Sequence, residues 1–168
     1  MTRFEVLSLV IGVVMAGLVI LQIQVAISTI KADHERRRKQ ATIDFMLQVR
    51  PIWQESHRLL DERFGPGTLS GDALEEIQKN RDARDIISRL LGNLEHLAVG
   101  INTGVFDREL LFRTSAYFLT TIYHRLHPHI KKAQTSLPTA YIEFEQLAVE
   151  FDDRRRIKPP KSGNIVHS

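Results

Sequence analysis

A long run of uncharged, apolar residues lies near the amino terminus of this chain. Residues 6–23 read VLSLVIGVVMAGLVILQI, only Ser8 and Gln22 are clearly polar there, and no charge follows until Lys31. A helix needs roughly 20 apolar residues to cross the hydrocarbon core of a bilayer. The run therefore predicts a transmembrane helix over residues 6–30, preceded by a short amino-terminal tail of residues 1–5.

A cleaved signal peptide and a buried helix of a soluble protein are the competing interpretations of this run. A signal peptide has an apolar region of about 7–15 residues, a strongly basic start and a small-residue cleavage site. Here the apolar region is longer, the basic cluster follows it, and the AIS at 26–28 is a poor cleavage site. A soluble helix rarely runs this far without a charge. The membrane span is therefore the favoured interpretation.

The charges that flank the run predict its orientation. Residues 31–40 carry five basic side chains against two acidic ones, whereas Arg3 is the only basic side chain before the span. Basic flanks stay on the cytoplasmic side, so we expect the amino terminus outside and residues 31–168 inside the cell. The basic segment also attracts anionic lipid headgroups, by about 1 kcal/mol per residue, which makes membrane lipid an expected partner.

Small residues recur on one face of the predicted span. Ser8, Gly12 and Ala16 are spaced by four, and small residues in this arrangement let two membrane helices approach closely. Self-association through this face is a hypothesis, because the pattern arises easily by chance in a helix rich in small residues.

Composition excludes several functional classes. The chain has no cysteine, so disulfides, thiolate catalysis and cysteine-ligated metal sites are excluded. Its pI of about 9.4 suggests nucleic-acid binding, but residues 41–150 hold 12 basic against 15 acidic side chains, and the excess of positive charge lies at the two ends. Because a nucleic-acid interface needs Lys and Arg gathered on the domain itself, no nucleic-acid partner is expected.

The remainder of the chain predicts an all-α fold, a bundle of about four to five helices over residues 41–156. An apolar stripe at helical spacing runs from Ile43 to Phe64, with a kink or restart at Pro51, and Asp72 with Glu75 is typical of a capping signal. A break is expected near residue 80.

Further helices are predicted from about Asp82, from Asp107 until Pro128, and after Pro138. The Pro/Gly-broken segment of residues 157–168 is expected to be a disordered tail.

The helix IISRLLGNLEHLAVGI carries most of the functional interest. At 100° per residue its apolar side chains share one face: Ile87, Leu90, Leu94, Leu97, Ala98 and Ile101. Gly92, His96 and Gly100 form one ridge on the other face, which predicts a close approach of another helix backbone and a partly buried, hydrogen-bonding His96. A functional role for Arg89, Asn93 and His96 is the alternative interpretation, and these three are the candidate site residues.

The turn after this helix follows local rules. Gly104 suits the left-handed position just past a helix end, and Asp107 suits the N-cap of the next helix, with Glu109 in its first turn. Phe106 and Leu111 occupy the positions of a hydrophobic staple. A phosphate-binding loop would follow a strand and supply Lys-Ser/Thr, which this turn lacks.

No catalytic, cofactor-binding or metal site is predicted. Arg50/His57 and Arg89/His96 match the Arg and His spacing of a family of helical ribonucleases, but the abundance of both residue types makes about as many matches expected by chance. The segment HRLHPH at 124–129 offers three histidines without a carboxylate nearby in sequence, so we expect no metal there. Triad, zinc-protease and nucleotide fingerprints are missing from the sequence.

Three segments resemble an uncharacterised family of bacterial proteins known as a domain of unknown function, often behind one amino-terminal membrane helix. They are RRRKQATIDFMLQVRP, NLEHLAVGINTGVFDRELL and YIEFEQLA. The resemblance covers roughly residues 35–151, with LEHLAVGI and TGVFD as its most specific part. It implies a bacterial origin, an all-helical domain and a location at the inner membrane, and it supplies neither catalytic residues nor a substrate.

Two functions follow as hypotheses. The first is a membrane-anchored cytosolic helical bundle that serves as a protein-interaction or regulatory module, with a protein partner or a second copy of itself. The second is a membrane-tethered, nuclease-like effector that uses Arg89 and His96.

Overall fold

The computed structural model describes the backbone of residues 3–157 and the side chains of residues 12 and 14–157. Five helices and no strand occur in this part of the chain: α1 Arg3–Phe64, α2 Gly71–Lys79, α3 Arg81–Asn102, α4 Arg108–Ser136 and α5 Ile142–Ile157. The predicted all-α fold is confirmed. The predicted disordered tail falls, from residue 158 onward, outside the described residues.

The chain divides into two compact units, residues 1–40 and residues 41–168. In the first unit, α1 is long and apolar enough to cross a membrane: its most apolar 18-residue window among the described residues has a mean hydropathy of 1.7, and none of that window is buried. Large apolar side chains from Val14 to Ile30 are about half exposed. Because such side chains are stable in lipid rather than in water, their exposure agrees with the predicted span.

The second unit has one hydrophobic core. From α1 the core receives Val49, Trp53 and Leu60, which lie about three to four residues or multiples of that apart and therefore share one helix face. The apolar face predicted for α3 is confirmed, because all six of its predicted members are at most 4% exposed. The largest contributions from α4 and α5 are fully buried, or nearly so: Leu111, Leu119, Ile122, Leu126, Ile130, Phe144, Leu147 and Phe151.

The helix boundaries follow local capping chemistry. Asn80 ends α2 by donating its N–H to the carbonyl of Glu76, at 2.9 Å, and begins α3 by accepting a hydrogen bond from the N–H of Ala83 at 3.0 Å. The break predicted near residue 80 is confirmed. The cap of α2 is Ser70, whose hydroxyl accepts from the N–H of Ala73, so the assignment of the capping signal to Asp72 was wrong; Asp72 lies in the first turn instead.

Both helix-internal prolines are tolerated. α4 continues through Pro128 to Ser136, so the predicted helix end at Pro128 was wrong, and α1 likewise continues through Pro51 without a restart. A proline removes only one backbone donor. Continuation of α4 buries Ile130 completely, and this burial offsets the roughly 3 kcal/mol that an interior proline costs.

Candidate functional site

The candidates Arg89, Asn93 and His96 share one face of α3, and most of that face is open to solvent. Arg89 and His96 are exposed and Asn93 is half-buried. Arg89 and His96 are seven positions apart in the sequence, which places them about 10.5 Å apart along the helix axis. The ring of His96 stacks on Phe45 of α1, with ring centroids 5.9 Å apart and planes inclined by 18°. This contact accounts for the position of His96 through packing.

The neighbours of the glycine ridge of α3 differ from those that the sequence predicts. Nothing lies within 4 Å of a Cβ placed on Gly92, so no neighbour approaches there. At Gly100 a Cβ would lie 2.3 Å from ring carbons of Phe106, which is a close approach of a side chain rather than of a helix backbone. The prediction of a backbone contact along this ridge, with a partly buried His96, was therefore wrong, because Phe106 folds back from the following turn.

That turn has the predicted caps. Gly104 adopts φ +77°, and the carboxylate of Asp107 accepts from the N–H of Leu110 at 2.8 Å. The N–H of Asp107 itself is bound by the hydroxyl of Thr42 in α1, at 2.7 Å in a buried setting. The turn is therefore tied both to its own helix and to α1.

Glu95 has a role that the sequence analysis missed. Its carboxylate accepts hydrogen bonds from the N–H groups of Glu143 and Phe144, at 3.3 and 2.8 Å. These N–H groups belong to the first turn of α5, where a negative charge is favoured by the helix dipole. Because Glu95 and Glu143 are 48 residues apart, no local signal reveals this cap.

The three histidines of HRLHPH do not converge. His124 pairs with Asp152 of α5, with Nε2 3.1 Å from Oδ2, and His127 meets the edge of the Tyr123 ring. Burial lowers the pKa of His129, and the charge of Lys132 lowers it further. Among the described residues there is no group of three His, Asp or Glu side chains able to hold a metal ion.

An ion pair between a buried arginine and a partly exposed aspartate joins α1 to α4 near the end of α1. The guanidinium of Arg125, only 4% exposed, donates to the carboxylate of Asp61 and to the carbonyl of Gly65, the latter at 2.5 Å. His57 lies 2.9 Å from the other oxygen of Asp61. The hydrogen bond from Arg125 holds the pKa of Asp61 below its usual range. This pair fixes the loop after α1 to the bundle, and its role is structural.

A largely apolar concave surface lies between α1 and α4. It is a cavity of about 340 Å³, lined by side chains from residues 42–54 of α1 and 110–118 of α4. The two helices run side by side in the same direction here, because Met46 meets Ser115 and Trp53 stacks on Phe118. We name this feature the α1–α4 cavity.

The α1–α4 cavity has a buried floor and an exposed apolar rim. The floor is formed by Thr42, Trp53 and Ser115, which are 1%, 3% and 7% exposed, whereas Ile43 and Leu47 on the rim are 43% and 65% exposed. An exposed apolar surface around a concave site is typical of a binding region. The cavity is therefore the candidate binding site of the described chain.

Comparison with known proteins places the chain in a family without identifying an activity. The family model described as "Domain of unknown function (DUF4760)" matches residues 7–151, a range that includes α1 from the predicted span onward, the α1–α4 cavity and the turn after α3. Neither a curated protein nor a solved structure shows detectable similarity. The chain belongs to the DUF4760 family of domains of unknown function.

Proposed function

We propose that this protein is a single-pass, membrane-anchored binding module of the bacterial inner membrane, with its amino terminus outside and its helical bundle in the cytoplasm. The observation that carries the proposal is the unburied apolar part of α1, followed directly by the basic residues Lys31, Arg36, Arg37, Arg38 and Lys39. Such an order is typical of a span whose carboxyl-terminal side faces the cytoplasm.

Membrane fractionation and protease accessibility test the anchoring and the orientation. The full-length protein is expected in the membrane fraction and should be released by detergent but not by high salt, because an apolar span and not charge holds it. In intact spheroplasts, protease should leave the bundle uncut and digest it only after lysis. A protein that is soluble without detergent, or cut in intact spheroplasts, would contradict the proposal.

We further propose that the module associates with another protein or with a second copy of itself. The proposal is supported by the unburied apolar part of α1 together with the exposed apolar rim of the α1–α4 cavity, where Ile43 and Leu47 are 43% and 65% exposed. Crosslinking in intact membranes, followed by mass spectrometry of the products, should yield a discrete adduct. Recovery of the monomer alone at saturating crosslinker would count against association.

The small-residue face of the span offers a specific test of self-association. Gly12 and Ala16 are exposed, and the side chain of Ser8 lies outside the described part of the chain. Gly12→Leu is expected to abolish a crosslinked dimer formed through this face, whereas Ile20→Leu, which alters only apolar shape, should retain it.

A membrane-tethered, nuclease-like effector is the second candidate function, and the shared face of Arg89 and His96 is the observation that favours it. Their separation along α3 requires an extended substrate to contact both side chains. His96→Ala is the decisive variant, with His127→Ala as the matched control. Loss of a cellular phenotype in the first variant alone, with unchanged folding, would favour the effector over the binding module.

A further inference from the structure

Polarity is distributed unevenly along the α1–α4 cavity. At one end lie the apolar side chains of Ile43 and Leu110, followed by Met46 and Leu47; the hydroxyl of Thr42 at this end accepts a hydrogen bond from the N–H of Asp107. At the other end lie three side chains with N–H donors, namely Arg50, Trp53 and Gln54. A ligand that matches this distribution has an apolar body and one polar end that accepts hydrogen bonds.

Two of these donors lack partners in the structure. The indole Nε1 of Trp53 is buried and forms no hydrogen bond with any described residue, although a buried donor without an acceptor costs about 1–3 kcal/mol. Arg50 is exposed at the cavity and forms no hydrogen bond or ion pair with another described residue.

The hydroxyl groups at the middle of the cavity already form hydrogen bonds within the protein. Thr114 donates to the carbonyl of Leu110 at 2.9 Å, and the hydroxyl of Ser115 lies 3.4 Å from that of Thr114. The available donors are therefore confined to one end, and one of them carries a positive charge.

The length of the cavity selects the kind of apolar body. Ile43 and Trp53 are ten residues apart on α1, which corresponds to about 15 Å at the helical rise per residue. The hydrocarbon core of a bilayer is about 30 Å thick, so one leaflet, and thus the depth that one lipid acyl chain occupies in it, is about 15 Å. The distance along the cavity from Ile43 to Trp53 matches that depth for a single chain.

We propose that the α1–α4 cavity binds a long-chain fatty acid, with the acyl chain along Met46 and Leu47 and the carboxylate at Trp53 and Arg50. The carboxylate supplies the acceptor that the buried indole N–H lacks and the negative charge that Arg50 lacks. The inference rests on the proposed membrane anchoring, because the fatty acid is drawn from the bilayer that holds the protein. Fractionation tests the anchoring without fatty acid, so a failure of either proposal is recognisable by itself.

The chain contains one tryptophan, which makes Trp53 a built-in probe. Full-length protein in nanodiscs of zwitterionic phospholipid is titrated with an octadecanoic acid brominated at mid-chain, a quencher of indole fluorescence. We expect saturable quenching that oleate reverses. We also expect the indole N–H resonance of Trp53 to move downfield when oleate is added, because its proton gains a carboxylate acceptor. The methyl ester of the brominated acid, which lacks the charge, should quench about tenfold less effectively.

Matched variants assign the binding to this cavity. Arg50→Gln should raise the apparent dissociation constant of the acid about tenfold, whereas Arg81→Gln, the same change at the exposed start of α3, should leave it unchanged. Ser115→Leu, which fills the floor, should abolish saturable quenching, with far-UV circular dichroism as the check on folding.

The proposal is overturned if quenching rises in proportion to the bromine content of the nanodisc without saturation, since Trp53 would then report only the bilayer. It is equally overturned if Arg50→Gln and Arg81→Gln behave alike, if acid and ester quench equally, or if the indole resonance does not move. Saturable binding of an amphipathic peptide in place of the acid would assign the cavity to a protein helix instead.

Discussion

The two glycines of the α3 ridge should respond with opposite sign to the same substitution. Gly92 and Gly100 are both interior to the helix, so alanine at either position gains about 1 kcal/mol of helix propensity. At Gly92 nothing lies within 4 Å of the added Cβ. Gly92→Ala is therefore expected to raise the free energy of unfolding by about 0.5–1 kcal/mol.

Gly100→Ala places its methyl group in steric overlap with the ring of Phe106. The added Cβ would lie 2.3 Å from two ring carbons, and the ring cannot easily yield. Phe106 is 9% exposed, and the centroid of its ring lies 5.0 Å from that of Phe45. Its backbone N–H donates to the carbonyl of Gly100 at 3.0 Å. Overpacking of this kind costs about 1–3 kcal/mol. Because the clash is deep, we expect the cost to exceed the propensity gain, with a net loss of about 1–2 kcal/mol.

Urea unfolding of the full-length protein, followed through the fluorescence of the buried Trp53, measures both effects in the same molecule. Phe106→Leu provides the mechanistic control, because a smaller side chain gives the methyl group room. Gly100→Ala should therefore cost less in the Phe106→Leu background than in the parent protein. Stabilisation by Gly100→Ala equal to that of Gly92→Ala, or an unchanged cost in the Phe106→Leu background, would show that Phe106 does not obstruct the added methyl group.

Three further outcomes are expected. Thr42→Val deprives the buried N–H of Asp107 of its acceptor and should lower the free energy of unfolding by about 1–3 kcal/mol in the same urea assay, whereas Thr42→Ser should recover most of this loss. Asp61→Asn should cost about 1 kcal/mol at neutral pH, because Arg125 loses a charged acceptor and solvent screens a carboxylate that is 41% exposed. The pKa of Asp61 is lowered in the folded protein, so its contribution to the free energy of unfolding is present above its unfolded pKa of about 4 and is lost as the pH falls through the folded pKa. The free energies of unfolding of the parent and of Asp61→Asn, measured against pH, should therefore converge in strong acid. A constant difference down to the lowest pH would contradict this assignment.

Sequence reasoning succeeded where the physical cause is local. The break near Asn80 and the caps at Gly104 and Asp107 depend on contacts within about four residues, and each was predicted from the sequence. The apolar face of α3 follows from helical periodicity alone. These features require no knowledge of the neighbouring helices.

Prediction failed where a distant partner decides the outcome. Pro128 was expected to end a helix because proline opposes helix continuation locally, but the burial of Ile130 against the rest of the bundle prevails. The cap that Glu95 provides for α5 depends on tertiary packing, as does the return of Phe106 onto Gly100. In each case the contact that decides the local structure depends on tertiary packing, which the residues next to it in the sequence do not reveal.

The α1–α4 cavity could be suspected from the sequence only through an excess of apolar residues on α1. Ile43 was assigned to the core stripe, yet it is 43% exposed, while the buried stripe runs through Thr42, Val49 and Trp53. An apolar side chain outside the buried stripe indicates a surface available to another apolar group. Periodicity cannot show which helix lies beside that surface, and here α4 completes it.

Trp53 shows why the polar end of the cavity remained hidden. A tryptophan on an apolar stripe predicts a core residue, and by burial Trp53 is one. Buried indole N–H groups usually find an acceptor, and this one has none among the described residues. The Trp53 ring thus packs in the core as the sequence predicts, while its indole N–H keeps an unused capacity to donate a hydrogen bond. Only the three-dimensional arrangement of α1 against α4 distinguishes these two properties.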